Sequence, residues 1–404
     1  MVTKGKLEME KMVVVEGSYA VAHAVKVCRP NVISAYPITP QTHIVEGLSQ
    51  FIADGEIQNC EYINVESEFS ALSALVGSSA VGARCYSATT SQGLELMHEV
   101  LFNVSGMRMP IVMTVVNRAV SAPINIWNDH QDAISQRDTG WIQLYAEDLQ
   151  EAADMTAQAF KIAEDEEVLM PVMVCMDGFI LSHVYEPVVL LEQELTDEYL
   201  PTYKPLNILD PKKPMSFGTL ADPNYYTEFR YLQQKAMENA LKKIEDAANE
   251  FYDMFGRYYG GLTDKYQTGD ADIILVAMGS IVGTIKDTID KLRQKGVKVG
   301  LLKVRSFRPF PAEAIKEAIK DAKVVAVLDK NISLGLNEGA LFTEIKSCLY
   351  NTENRVPVVG YMIGHGGRDI RMSTIENIIS EAQEVMESGI RKESQFTDVR
   401  EEIL

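Results

Sequence analysis

Asn31-Val32-Ile33-Ser34-Ala35-Tyr36-Pro37-Ile38-Thr39-Pro40, lying between two helical patterns, places a short strand directly before a loop held by two prolines. Residues 31–35 carry the β-branched Val32 and Ile33, which suit a pleated, buried surface. Pro37 and Pro40 then fix φ on either side of Thr39, remove two amide donors and restrict the residues before them, so the Thr39 hydroxyl sits on a stiff loop. Taken alone, the Pro-x-x-Pro element is a rigid turn after a strand. Its meaning comes from what is repeated around it.

Short apolar or β-branched segments recur at 62–65, 84–88, 111–116 and 171–176. They alternate with helical patterns at 18–28, 67–79, 94–105 and 149–165. Such alternation predicts an α/β fold, a parallel sheet with helices on both faces. From 185 to 224 the pattern lapses, with Pro187, Pro201, Pro205, Pro211, Pro214 and Pro223 and little apolar periodicity, which predicts an extended, irregular segment. A long amphipathic helix over 226–255 follows and reads as a bridge between domains. A second α/β unit opens at Asp272, with strands predicted over 273–278, 298–303, 324–329 and 357–361. Its first turn, Gly279-Ser280-Ile281-Val282-Gly283, lacks the G-x-G-x-x-G spacing. It reads as a tight strand-to-helix turn in preference to an anion site at a helix N-terminus.

The chain has 404 residues, 46% of them hydrophobic, which predicts two or three domains with full cores. A net charge of −19 argues against a nucleic-acid partner, because neutralising phosphates needs a basic face. No apolar run approaches the ~18 residues of a membrane span. Residues 1–12 alternate charged and apolar side chains without a signal-peptide core, so a cytoplasmic location is expected. Cys28, Cys60, Cys85, Cys175 and Cys348 lie far apart, none at metal-clip spacing, and read as buried, reduced thiols.

Four segments lie just after predicted strands: 36–40, 64–68, 89–94, and 117–118 continuing into 122–139. In an open parallel sheet those positions gather at one edge, where ligands bind. Glu68 alone is a glutamate favoured by a helix dipole, and Arg118 alone a salt-bridge residue. His98 with Glu95 and Glu99 reads as packing and capping on a helix, since the chain lacks HExxH. Asp129, His130 and Asp132 lie in a polar loop able to close over a substrate, and His365 lies in a loop of the second unit.

YPITP (36–40), VESE (65–68), SATTSQGLELMHEVL (87–101) and NRAVSAPINIWNDHQDAISQRDTGW (117–141) together resemble the α subunits of the multi-subunit 2-oxoacid:ferredoxin oxidoreductase family, pyruvate:ferredoxin oxidoreductase in particular. The resemblance spans nearly the whole chain. It implies a pyrimidine-binding domain of a thiamine-diphosphate enzyme over 1–260 and a transketolase C-terminal-like domain over 268–404. It implies that Glu68 hydrogen-bonds the cofactor's aminopyrimidine ring, that Pro37 and Ile38 adjoin the cofactor, and that Arg118 and Thr39 hold the substrate carboxylate. A planar guanidinium fork suits a carboxylate. The reaction implied is the reversible, coenzyme A-dependent oxidative decarboxylation of pyruvate with reduction of ferredoxin. Threonine at 39 fits a small mono-carboxylic 2-oxoacid; a sister 2-oxoacid such as 2-oxoisovalerate and a non-catalytic assembly role are the alternatives.

Thiamine-diphosphate enzymes hold the pyrophosphate through Mg²⁺ with a Gly-Asp-Gly loop, and this chain has none: Gly269-Asp270 is followed by Ala271. It also lacks a cluster-binding motif and a flavin fingerprint to take the electrons. The resemblance fills both gaps with a β subunit carrying Mg²⁺, the pyrophosphate half of the site and one [4Fe-4S] cluster, a ferredoxin-like δ subunit carrying clusters, and a γ subunit.

Overall fold

The computed structural model describes residues 12–353 and 355–404, so residues 1–11, with their expected lack of a signal-peptide core, lie outside the described residues. The chain begins β1 (Met12–Glu16), α1 (Gly17–Val27), β2 (Val32–Ala35), α2 (Thr42–Ala53), β3 (Glu61–Asn64), α3 (Glu68–Ala80), β4 (Cys85–Thr89), α4 (Ser91–Leu96) and α5 (His98–Gly106). It continues through β5 (Val112–Asn117), α6 (Gln131–Ser135), β6 (Ile142–Tyr145), α7 (Leu149–Glu164), β7 (Val172–Asp177), β8 (Tyr185–Val189), α8 (Gln193–Tyr199) and α9 (Tyr226–Phe255). The last part comprises β9 (Thr263–Tyr266), β10 (Ile273–Ala277), α10 (Ile281–Arg293), β11 (Val299–Val304), β12 (Ser306–Arg308), α11 (Ala312–Ile319), β13 (Val324–Asp329), α12 (Ala340–Leu349), β14 (Val358–Met362), α13 (Met372–Ser388) and β15 (Ser394–Phe396).

Among the described residues, one sheet of seven strands has the order β12-β6-β7-β5-β4-β2-β3. All its pairs are parallel except β12 with β6. Its central strands β4, β5 and β7 are buried at every position, as continuous apolar runs covered on both faces must be. A second sheet has the order β15-β14-β13-β10-β11-β9, with only β9 antiparallel. The predicted α/β class is what is seen; the nine predicted strands are present with ends moved by about one residue, and β1, β6, β8, β9, β12 and β15 were not foreseen.

Three expectations change. The helical pattern over 94–105 is two helices, α4 and α5, sharing Met97 as cap. The stretch from 185 to 224 is not irregular throughout, because β8 pairs antiparallel with β1 and α8 follows it. Local periodicity cannot report a two-stranded ribbon whose partner lies at residues 12–16, and Pro187 is tolerated because such a ribbon has free edges. Helix α9 spans the expected residues but does not bridge. Its stripe Ala236, Ala240, Ile244, Ala247, Phe251 and Phe255 joins the core between α1, α2, α7 and the large sheet. It stops at Gly256, which adopts the left-handed conformation a helix end often needs (φ 71°).

The two sheets are joined by more than a linker. β12 leaves the second sheet and adds an antiparallel edge to the first, carrying the fully buried Phe307 against Tyr145 and Phe310. One apolar cluster runs from Leu72, Met113 and Met173 to Val304, Phe307, Ile315 and Phe342. Beside it, the buried Arg305 and Lys303 bond Glu151 of α7 at 3.0 and 2.6 Å. No helix among the described residues is long and apolar enough to cross a membrane.

Candidate active site

The four segments expected to converge follow β2, β3, β4 and β5, which are neighbours in the order β5-β4-β2-β3. All run in the same direction, so their C-terminal ends share one edge.

Glu68 opens α3, where Ser67 with extended backbone caps the helix by accepting the Ser70 amide at 3.2 Å. Glu68 is only 7% exposed, yet its carboxylate makes no hydrogen bond to a described residue. It lies against Gly93 at the start of α4, where a Cβ would come within 2.6 Å of Glu68 Oε1 and 2.8 Å of Thr89 Oγ1. Along this edge Thr89 Oγ1, Gln92 Nε2 and Asn117 Oδ1 are buried without partners. Native proteins rarely leave such atoms unpaired, so water or a bound group completes them. A buried carboxyl, a bare glycine Cα and open polar atoms fit a flat heteroaromatic ring with its own donors and acceptors.

Arg118 follows β5 and is 6% exposed. Its Nε donates to the Asn125 carbonyl at 3.0 Å and its Nη1 to the Thr39 carbonyl at 2.8 Å. No carboxylate of a described residue lies within 4.0 Å of the guanidinium, and Nη2 has no partner among them. Burial pulls its pKa below the usual range, and the charge of Asp132 opposes that pull. Thr39 therefore meets Arg118 through its backbone. Its side chain is exposed and its hydroxyl bonds no described residue, as Pro37 is exposed and Ile38 half-buried on the same loop.

Asp132 organises these loops. Its oxygens accept from Asn117 Nδ2 and the Ala133 amide at 2.8 Å and from the Ser91 and Arg118 amides at 3.0 Å. Burial raises its pKa to about 6 against the pull of those four donors.

The loop after β5 is not a lid. Asp129, His130 and Asp132 are buried, which overturns the reading that they close over a substrate. The loop is instead clamped to the second unit. The Gly366 amide donates to Asp129 at 3.1 Å, and the His130 amide donates to the Lys330 carbonyl at 2.8 Å. His130 Nε2 lies 2.7 Å from Asp177, which also accepts from Lys330 Nζ at 2.9 Å and from the Ser280 amide and hydroxyl. The Gly279-Ser280 turn thus spends its amide on an internal carboxylate, and a Cβ at Gly279 would meet His130 Nε2 at 2.8 Å. Burial pushes the Asp177 pKa up, but Lys330, His130 and Ser280 together hold it well below the usual range.

His98 bonds Gln136, which in turn bonds Glu95, so these are packing contacts as expected. His365 packs near Phe396 and leaves its buried Nε2 unpaired. Cys28, Cys85 and Cys175 are buried free thiols, whereas Cys60 and Cys348 are half-buried, a departure from the expectation for all five. Asp177, Lys330 and Ser280 were missed by sequence reasoning. The available signal was position, since Asp177 and Lys330 end or follow the apolar strands β7 and β13.

Residues 23–249 match the family described as pyruvate flavodoxin/ferredoxin oxidoreductase, thiamine-diphosphate-binding, and residues 271–375 match the pyruvate:ferredoxin oxidoreductase core domain II. The chain is 70% identical over 395 residues to the pyruvate synthase subunit PorA of Methanosarcina barkeri, covering 98% of each. It is 54% identical to that of Methanocaldococcus jannaschii, covering 92% of this chain and 94% of the relative. It is 49% identical to the ketoisovalerate oxidoreductase subunit VorA of Pyrococcus abyssi, covering 93% and 94%. The fold is similar to that of the solved 2-oxoglutarate:ferredoxin oxidoreductase from Magnetococcus marinus, with TM-score 0.68 and 19% identity over 94% of this chain and 68% of that one. A split gene transketolase gives TM-score 0.54 at 11% identity, covering 94% and 100%. With one domain family spanning more than half of its length and a relative at 70% identity end to end, the chain belongs to the pyruvate flavodoxin/ferredoxin oxidoreductase family.

Proposed function

We propose that this chain is the α subunit of a pyruvate:ferredoxin oxidoreductase, which within a larger cytoplasmic complex converts pyruvate and coenzyme A to acetyl-CoA and CO₂ with reduction of ferredoxin, reversibly. The observation that carries this reading is Arg118, a buried cation beside Thr39 with no acidic partner among the described residues. A buried charge without a direct ion pair is costly, and a substrate carboxylate would supply that pair through the free Nη2. The unpartnered Thr39 hydroxyl is a neutral donor for the same acid. One cation suits an acid with one carboxylate. Identities of 70% and 54% to PorA subunits support pyruvate; within Pyrococcus abyssi the margin of PorA over VorA is 51% to 49%.

Glu68, with Pro37 and Ile38 on the neighbouring loop, would hold the aminopyrimidine half of thiamine diphosphate. When bound, that cofactor supplies the electron sink that lets a 2-oxoacid lose CO₂. This chain's own task is to fix the pyrimidine end and to orient the acid. Residues 1–260 then serve as the pyrimidine-binding domain and 268–404 as a transketolase C-terminal-like domain. The pyrophosphate half, its Mg²⁺ and a [4Fe-4S] cluster fall to a β subunit, with γ and cluster-bearing, ferredoxin-like δ subunits completing the complex. The absence of a Gly-Asp-Gly loop from this chain supports that division.

The test is steady-state kinetics of the anaerobically assembled complex with pyruvate and with 2-oxoisovalerate. Arg118→Ala is expected to raise the pyruvate KM roughly 10- to 100-fold, the loss of a charge-assisted pair of about 1.5–3 kcal/mol. Arg118→Lys should recover part of it, because a point charge replaces the fork. An unchanged KM removes Arg118 from the substrate site, and a preference for 2-oxoisovalerate keeps the chemistry while changing the substrate.

A further inference from the structure

Away from the Glu68 and Arg118 site, three side chains from distant parts of the chain converge. They are Glu16 at the end of β1, His43 in the first turn of α2, and His183 just before β8. One ligand atom from each lies within 4.8 Å of the other two. The scaffold that brings them together is the β1/β8 ribbon, in which Glu16 pairs with Tyr185 and the Gly17 amide donates to the Val184 carbonyl at 3.1 Å.

Each side chain is turned to this point by identifiable contacts. Glu16 occupies the N-cap of α1 yet makes no side-chain cap bond, and its Oε1 instead lies 2.6 Å from His43 Nδ1. The His183 ring is flanked by Phe179 and His43, each with its centroid 4.7 Å away. His183 Nδ1 is 2.7 Å from the Ser182 hydroxyl, whose oxygen also accepts the Phe179 amide at 2.9 Å. In the tautomer whose Nδ1–H donates to Ser182, the Nε2 lone pair is left for another partner, and in either tautomer no described residue bonds Nε2. A hydrogen bond on the far ring nitrogen is the arrangement that orients metal-binding imidazoles.

We propose that Glu16, His43 and His183 bind one first-row divalent transition-metal ion. Two imidazoles and a carboxylate suit Zn²⁺ or Fe²⁺ and leave positions for solvent, which the 47% exposure of His43 permits. The ion braces the start of α2, directly after the loop that carries Thr39, against the ribbon and the turn after β7. This assignment does not rest on the roles given to Glu68 and Arg118.

Zn²⁺ is the probe. The native complex, stripped with a chelator, is dialysed to equilibrium against Zn²⁺ at neutral pH, and metal content per chain is compared among variants. Wild type and the distant control His98→Ala are expected to hold about one Zn²⁺ per chain more than His43→Ala or His183→Ala. Glu16→Gln, which keeps the shape and can still bond His43, should weaken uptake about tenfold or more, a loss that misfolding cannot explain. Zn²⁺ should raise the Tm of wild type and leave that of His43→Ala unchanged. Equal Zn²⁺ content and equal Tm shifts across wild type and all four variants would overturn the site.

Discussion

Glu68 and Arg118 are common residue types made unusual by what does not touch them. Both are buried, and neither charged group has a partner of opposite sign among the described residues. Glu68 in addition depends on a missing side chain, since the space its carboxylate uses is the space a Cβ of residue 93 would fill. Gly93→Ala is therefore expected to displace Glu68 and weaken thiamine diphosphate binding by the complex, read as a rise of tenfold or so in its apparent Kd. Gly77→Ala is the control. Gly77 lies inside α3 with nothing within 4 Å of a new Cβ, so this change should raise stability by about 1 kcal/mol in denaturant unfolding and leave cofactor affinity alone. Equal effects of the two changes on affinity would refute the contact between Gly93 and Glu68. The residue types at 39, 68 and 118 were legible because each follows an apolar strand at the same edge. The partnership of Arg118 with the Thr39 carbonyl was not, since a backbone acceptor leaves no mark in side-chain identity.

At the scale of elements, the strands β2, β3, β4, β5 and β7 of the large sheet and β10, β11, β13 and β14 of the second were legible, the central ones because continuous apolar runs, buried on both faces, need no partner to be recognised, whereas β6, β9 and β15 were not foreseen. Short elements whose burial comes from far away were not. β12 is three residues long, and its apolar content amounts to Phe307 alone. Its role as an edge of the large sheet depends on β6, more than 160 residues earlier. That placement makes Phe307 a joint between the two units' cores, in edge-to-face contact with Tyr145 at a centroid distance of 6.4 Å. Phe307→Ala should cost about 3–5 kcal/mol, because the cavity it leaves is walled by both units. Scanning calorimetry should then show one transition shifted to lower temperature. Two separated transitions in the wild type would mean that the cores do not act together.

Across the whole molecule, the loop over 117–139 is the keystone, held by Asp132 and Asp177 on the side of the large sheet and by Lys330 and Gly366 on the side of the second unit. The Asp177 carboxyl has its pKa held well below the ordinary 3.8 by Lys330, His130 and Ser280 despite burial. A depressed carboxyl stabilises the fold fully above its unfolded pKa, and that contribution is lost as pH falls below about 4. Lys330→Met removes the largest of the lowering charges. It should cost about 3–5 kcal/mol at pH 7 by leaving Asp177 buried and underpaired, and it should move acid unfolding to higher pH. A variant as stable as wild type at pH 7 and with the same acid-unfolding midpoint would show that this cluster does not hold the units together.

By itself the sequence determined the α/β class, nine strands of the two sheets, the shared edge at which the loops after β2, β3, β4 and β5 gather, and the residue types placed there. All of these follow from local periodicity and from the geometry of parallel sheets. Only the tertiary structure decided that α9 covers the large sheet in place of bridging, that β12 crosses between sheets, and that the histidine-bearing loop is a clamp and not a lid. It alone also decided that the Arg118 guanidinium has no ion-pair partner among the described residues and that Glu16, His43 and His183 meet. The physical reason is the same throughout. Periodicity reports whether a residue is buried, but the partner that buries it, or the absence of one, is set by contacts between positions a hundred or more residues apart.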